Sequence, residues 1–103
     1  MKQMTAAEHR HMMAVMDDVK TALVAEQQKR RENPMTWRLN EERVVLEKVN
    51  EWRAKTGLKP VMREHIETIE SSANGHSDYT EKFSLYAAEL AVGVHWIDER
   101  GLV

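Results

Sequence analysis

Residues 75–98 read GHSDYTEKFSLYAAELAVGVHWID and hold both tyrosines and the single phenylalanine of the chain. Gly75 is a typical helix stop, and Asp78 with Glu81 has the D-x-x-E spacing of an N-terminal capping box. Apolar residues then recur every three or four positions, which is the period of an α-helix with one buried face. These residues are Tyr79, Phe83, Tyr86, Leu90, Val94 and Ile97. The segment therefore predicts a long amphipathic helix that runs to about Arg100.

A second apolar stripe lies on the same predicted helix and consists of Leu85, Val92 and Trp96. It projects about 120–140° away from the first stripe, so one small bundle does not easily cover both. Gly93 falls in the middle of this helix, where glycine costs about 1 kcal/mol relative to alanine and favours close approach of another backbone. We therefore expect Leu85, Val92 and Trp96 to form the interface of a two-fold homodimer. The alternative is a central helix that its own bundle covers on both sides.

Three helices are expected before this one, and the first is long. It begins at Thr5, whose T-x-x-E spacing to Glu8 is a capping box, and ends near Arg31. Its apolar stripe contains Met12, Met16, Val19 and Leu23. Met13 and Val24 lie off this stripe and are candidate contact residues, because methionine-rich surfaces adapt to partners.

The second and third helices are shorter. The second begins between residues 36 and 40 and stops at Gly57, the expected left-handed C-terminal residue. The third follows Pro60 and stops at Gly75. Their apolar residues are Val45, Val49 and Trp52 in the second helix, and Met62, Ile66, Ile69 and Ala73 in the third.

The fold class predicted from these patterns is all-α. No window shows the two-residue alternation of a strand, and short loops force neighbouring helices to run antiparallel. We expect one domain, residues 1–103, folded as an irregular four-helix bundle with long first and last helices. Its core is expected to include Leu23, Val49, Ile66, Phe83 and Leu90.

The composition excludes several classes of function. The chain has 103 residues, 42% of them hydrophobic and 31% charged, which fits one folded domain better than a disordered tail. Fifteen Lys and Arg residues against 17 Asp and Glu residues give a net charge of −2, so no overall field attracts nucleic acid. Without cysteine the chain has no disulfide and no thiolate metal site. Since no long apolar run is present, we expect a cytoplasmic protein with no membrane association.

The five histidines are the first candidates for a metal or catalytic site. Glu8 and His11 have the E-x-x-H spacing of di-iron bundles, but such a site needs a second E-x-x-H pair and two further glutamates. His76 lies near Asp78, and a histidine beside a carboxylate can act as a general base. No nucleophile motif or phosphate-binding glycine loop accompanies it. We therefore expect no catalytic residue, no metal and no cofactor, in a protein that is not an enzyme.

The densest basic segment is Lys29, Arg30 and Arg31, at the end of the first predicted helix. These side chains could contact phosphates, which makes a DNA-associated regulator the alternative function. Cations at this position are also what the helix dipole favours. The acids Asp78 and Glu81 would repel phosphate if the fourth helix were a DNA reader. Nucleic acid is therefore the less favoured partner.

The segment GHSDYTEKFSLYAAELA, residues 75–91, resembles a segment of small accessory proteins that tailed phages and prophages of bacteria encode. The resemblance covers about a sixth of the chain and supplies no catalytic residues. It implies a bacterial cytoplasm and a host-directed or regulatory interaction. Together with the patterns above, it favours a small non-enzymatic module for protein–protein interaction that associates with itself, with a bacterial host protein as a further candidate partner.

Overall fold

The computed structural model of the chain describes residues 5–29 and 37–95. Within these ranges the backbone forms four helices and no strand. The helices are α1 (Ala6–Lys29), α2 (Trp37–Lys55), α3 (Arg63–Asn74) and α4 (Tyr79–Val92). The predicted all-α fold with four helices is confirmed. The predicted end of the first helix near Arg31 and the residues that follow His95 lie outside the described ranges.

Local side-chain chemistry sets the start of α1. The Thr5 N–H donates to Glu8 Oε1 at 3.0 Å, and the Glu8 N–H donates to Thr5 Oγ1 at 3.1 Å. These reciprocal bonds form the predicted capping box and satisfy two backbone donors that the helix cannot bond itself. The corresponding box in α4 does not form, because Asp78 makes no side-chain capping bond. The Glu81 carboxylate instead accepts a hydrogen bond from Lys20 of α1 at 3.1 Å.

Two glycines in the left-handed conformation end α2 and α4. Gly57 has φ +75° and Gly93 has φ +82°. Beyond each, the next N–H returns to a carbonyl five residues earlier, from Leu58 to Arg53 and from Val94 to Glu89, both at 2.9 Å. This is the Schellman arrangement of a helix C-terminus. The prediction for Gly57 is confirmed, and the prediction that Gly93 lies mid-helix is wrong.

The early end of α4 also corrects its predicted length. With 14 residues α4 is shorter than α2, which has 19, so α4 is not one of the two longest helices in the described ranges. A Cβ atom built on Gly93 would lie 3.0 Å from Cδ1 of Leu58. The close approach expected at Gly93 therefore exists, but a side chain from the α2–α3 loop makes it.

The core contains all five residues predicted for it, each fully buried: Leu23, Val49, Ile66, Phe83 and Leu90. Two residues of the predicted apolar stripes are exposed, Met62 by 60% and Val94 by 37%. Met62 precedes α3 with an extended backbone, and Val94 follows the left-handed Gly93, so neither keeps the helical period. Their neighbours Val61 and His95 are buried instead.

The helices pack so that α4 contacts each of the other three. Helices α1 and α4 run antiparallel, because Lys20 and Gln27 of α1 bond Glu81 and Thr80 at the start of α4, whereas the start of α1 meets its end. The most buried side of α4 carries small residues, which allow packed helices to lie close together. These residues are Ser84, Ala87, Ala88 and Ala91. Within the described ranges, no helix is both long and apolar enough to cross a bilayer.

Candidate functional site

The outward side of α4 presents four residues at spacings of three, four and three: Lys82, Leu85, Glu89 and Val92. We call this set the outer face of α4. At 100° per residue the four side chains lie within an arc of about 80°, and their spacing is that of a helix–helix seam. All four are half-buried, whereas the opposite side of the helix is fully buried. The outer face thus combines two apolar side chains with one positive and one negative charge.

The two apolar members of the outer face are residues that the sequence predicted as an interface. Leu85 and Val92 are only partly covered, and the covered part of each packs against the core of its own chain. The alternative prediction is a central helix that its own bundle covers on both sides. The structure agrees with it in part, because α4 contacts α1, α2 and α3 while Leu85 and Val92 stay partly exposed. The third predicted interface residue, Trp96, lies outside the described residues.

Helix α1 borders the outer face on one side. Its ion pair with α4, Lys20 to Glu81 at 3.1 Å, fixes the antiparallel register at one end. At the other end, His11 of α1 and Val92 of α4 line the same cavity, so the start of α1 lies beside the end of α4. Met13 of α1 is 44% exposed, so it is accessible to a partner, and its role as a contact residue stays a prediction.

The two charged members of the outer face have no ion-pair partner among the described residues. Neither Lys82 nor Glu89 forms a salt bridge or a side-chain hydrogen bond with any described residue. Partial burial raises the pKa of Glu89 above its usual value of 4.5, and the positive charge of Lys82 opposes this rise. A half-buried carboxylate loses hydration, and the charge of Lys82, which forms no salt bridge with Glu89, compensates this loss only in part. The outer face therefore favours a partner that supplies a cation.

A cavity of about 310 Å³ lies between the first turns of α1 and the end of α4. It is lined by Ala7, Glu8, His11, Val92 and Val94. Both members of the E-x-x-H pair are engaged elsewhere, since Glu8 caps α1 and the His11 ring packs edge-on against Trp52 with centroids 5.7 Å apart. Among the described residues, no group of three His, Cys, Asp or Glu side chains could hold a metal ion.

The histidine considered as a general base is exposed at the α3–α4 turn. His76 and Asp78 are both exposed, and neither side chain forms a hydrogen bond with a described residue. No described serine or threonine hydroxyl donates to either of them. The turn thus offers no assembled nucleophile and base, and its described role is the helix stop, where the His76 N–H donates to Ala73 O at 3.1 Å.

The basic segment is described only at its first residue. Lys29 ends α1 and is exposed, with its ammonium group 3.6 Å from a carboxylate oxygen of the buried Glu26. That carboxylate offsets part of the positive charge that a phosphate would meet. Arg30 and Arg31, the other two candidate nucleic-acid contacts, lie outside the described residues.

Sequence reasoning missed the two charges of the outer face and the polar residues that fix the loop before α3. Asn50 bonds both backbone groups of Val61, at 2.7 and 3.1 Å. The fully buried Arg53 donates to the carbonyls of Lys59 and Leu90. The signal for Lys82 and Glu89 was present in the sequence, because the spacing of Leu85 and Val92 runs through them. The loop contacts had no sequence signal, since they join residues that only the fold brings together.

No protein-family model matches the chain, and comparisons with the curated proteins and with the solved structures found no match either.

Proposed function

We propose that the protein is a small non-enzymatic interaction module that associates with itself through the outer face of α4. The observation that carries the proposal is that Leu85 and Val92 stay partly exposed on a helix whose other side is fully buried. Apolar area at the seam of two helices is stabilised when a partner removes it from water, by about 25 cal/mol for each Å². A second copy of the same chain is the simplest partner, because closed two-fold dimers are the commonest oligomers.

The cellular setting of the proposal comes from the resemblance of residues 75–91 to accessory proteins of tailed phages and prophages. We propose a bacterial cytoplasm on that ground, with a role of phage or prophage type. A bacterial host protein is the second candidate partner, and it would use the same half-exposed apolar side chains. A DNA-associated regulator stays the alternative function, although no described contact favours it.

The test of self-association is sedimentation velocity of the wild-type chain and of Leu85→Lys from 1 to about 100 µM, with concentrations chosen to bracket ordinary dimer affinities. We expect the wild type to form dimers by tens of micromolar and Leu85→Lys to stay monomeric, because the substitution places a charge in the contact. Met62→Lys is the matched control, since Met62 is also an exposed apolar residue but lies before α3. It should dimerise like the wild type.

Far-UV circular dichroism of each variant separates a lost contact from a lost fold. Leu85→Lys should keep the helical spectrum and a cooperative thermal transition. A wild type that is monomeric at every concentration would refute the proposed function. Unfolding of Leu85→Lys would mean that Leu85 acts as ordinary core.

A further inference from the structure

The order of charges on the outer face of α4 specifies how a second copy would dock. Lys82 and Glu89 are seven residues apart, which is about 10.5 Å along a helix, and they lie on the same side. This separation is too large for a direct ion pair within the helix. Each charge is half-buried and lacks a salt bridge among the described residues. Leu85 lies between these two opposite charges. A two-fold rotation of α4 onto a second copy therefore brings the positive charge of each helix opposite the negative charge of the other.

We propose that α4 packs antiparallel against α4 of a second copy, with Lys82 of each chain paired to Glu89 of the partner subunit. The two-fold axis then passes between the levels of Leu85 and Tyr86, midway between the two charges. The Leu85 side chains meet near the axis, and two equivalent ion pairs flank them. This inference rests on the proposed function and adds to it the orientation and register of the dimer.

The charges also exclude the opposite orientation. A parallel copy in register would place Lys82 against Lys82 of the partner subunit and Glu89 against Glu89, and juxtaposed like charges oppose association. The antiparallel arrangement replaces both repulsions with attractions. The half-buried Glu89 carboxylate also gains a directly paired cation, which no described residue of its own chain provides, and this offsets part of its lost hydration. One arrangement therefore satisfies the apolar residue and both charges.

The experiment is a charge swap measured by sedimentation equilibrium at low salt. Lys82→Glu alone, or Glu89→Lys alone, turns both proposed ion pairs into like-charge pairs. Each single variant should weaken the dimer about tenfold or more. The double variant Lys82→Glu with Glu89→Lys restores opposite charges across the axis. It should return the dissociation constant to within about threefold of the wild type, since the same two ion pairs form in reverse.

Matched controls carry the same charge changes on exposed residues away from α4. Arg43→Glu and Glu47→Lys, both at exposed positions of α2, should leave the dissociation constant of the dimer unchanged. The proposed register would be refuted, and self-association kept, if the wild type dimerises but the single variants have the same dissociation constant. The same holds if the double variant dimerises no better than the single variants. If the wild type is monomeric throughout, the proposed function fails and this inference fails with it.

Discussion

Arg53 joins three parts of the fold through one buried side chain. It belongs to α2, and its guanidinium donates to Lys59 O in the α2–α3 loop and to Leu90 O in the last turn of α4. A cation beside the last carbonyls of a helix is favoured by the helix dipole. The residue thus fixes the loop against the end of α4. The loop in turn brings Leu58 against Gly93, where α4 stops.

Phe83 is the aromatic centre of the core, fully buried on α4 and 5.6 Å from the Tyr79 ring. Phe83→Ala should lower the free energy of unfolding by about 3–5 kcal/mol, through lost burial and the cavity that remains. That is a large share of the 5–15 kcal/mol typical of a domain. Urea denaturation measures the loss, with the exposed Met62→Ala as control. An unchanged midpoint for Phe83→Ala would contradict the described core.

Glu89 predicts a pH dependence of stability in the isolated chain. Because burial raises its pKa in the folded state, the folded chain binds the proton more readily than the unfolded chain. The stability that protonated Glu89 contributes is therefore fully present below pH 4.5, the usual pKa of the group. It is lost as the pH rises through the higher pKa that Glu89 has in the folded state. Glu89→Gln should be more stable than the wild type at pH 7, by under about 1 kcal/mol because the half-exposed group is screened by water.

The measurement is thermal unfolding from pH 4 to pH 8 in dilute solution, where the monomer dominates. The stability difference between Glu89→Gln and the wild type should vanish at the acidic end. Glu47→Gln, a change at an exposed carboxylate, should show little difference at any pH. A Glu89→Gln difference that stays constant across the range would show that Glu89 does not titrate as described.

Local side-chain chemistry sets the start of α1, and tertiary contacts accompany the end of α4. Thr5 and Glu8 could be read directly, because both partners of the capping box lie within one turn. Gly93 could not, since a glycine inside a periodic run fits both a helix interior and a helix end. Contacts made by Leu58 and Arg53, more than thirty residues away, accompany the left-handed conformation there. The capping box at the start of α1 was therefore predictable, whereas the box predicted for α4 does not form and the end of α4 was not predicted.

Gly93 and Gly75 form a matched pair for testing this account of helix ends. Gly93→Ala should destabilise the fold by about 1–2 kcal/mol, because alanine disfavours φ +82° and its Cβ meets Leu58. Gly75 has φ −79° with nothing within 4 Å of an added Cβ. Gly75→Ala should stabilise by about 0.4–1 kcal/mol, through the lower entropy of the unfolded chain.

Denaturant midpoints of the two glycine variants should shift in opposite directions. A Gly93→Ala midpoint at or above that of the wild type would contradict the left-handed end of α4 at Gly93. Since both changes add the same methyl group, the difference between them reports the left-handed backbone of Gly93 together with the contact to Leu58.

Only part of the outer face of α4 could be predicted from the sequence. Leu85 and Val92 could be predicted because the helical period places these apolar residues together on a second side of the helix. Lys82 and Glu89 were not predicted because the search for helical spacing considered apolar residues alone. Both charged residues nevertheless follow the same spacing as Leu85 and Val92. Their importance comes from half-burial without a salt bridge to any described residue, and this half-burial arises only when α1, α2 and α3 pack around α4.

Binding of nucleic acid is expected to be absent at physiological salt. The net charge is −2, and the described end of the basic segment is ion-paired to Glu26. A shift assay with duplex DNA at two salt concentrations checks this expectation, with Arg30→Ala and Arg31→Ala combined as the control variant. Salt-sensitive binding in the micromolar range that this variant weakens would make the DNA-associated regulator the leading function.

Disulfide trapping tests the proposed dimer, because the natural chain has no cysteine and one introduced thiol reports one position. Leu85→Cys lies near the proposed two-fold axis, where two Cα atoms can approach within the 7 Å that a disulfide requires. Glu47→Cys, on exposed α2, is the control. Mild oxidation at 50 µM, a concentration within the tens of micromolar where dimers are expected, should convert Leu85→Cys to a covalent dimer on a non-reducing gel and leave Glu47→Cys monomeric. A Leu85→Cys chain that stays monomeric, or crosslinks no faster than Glu47→Cys, would contradict self-association through α4.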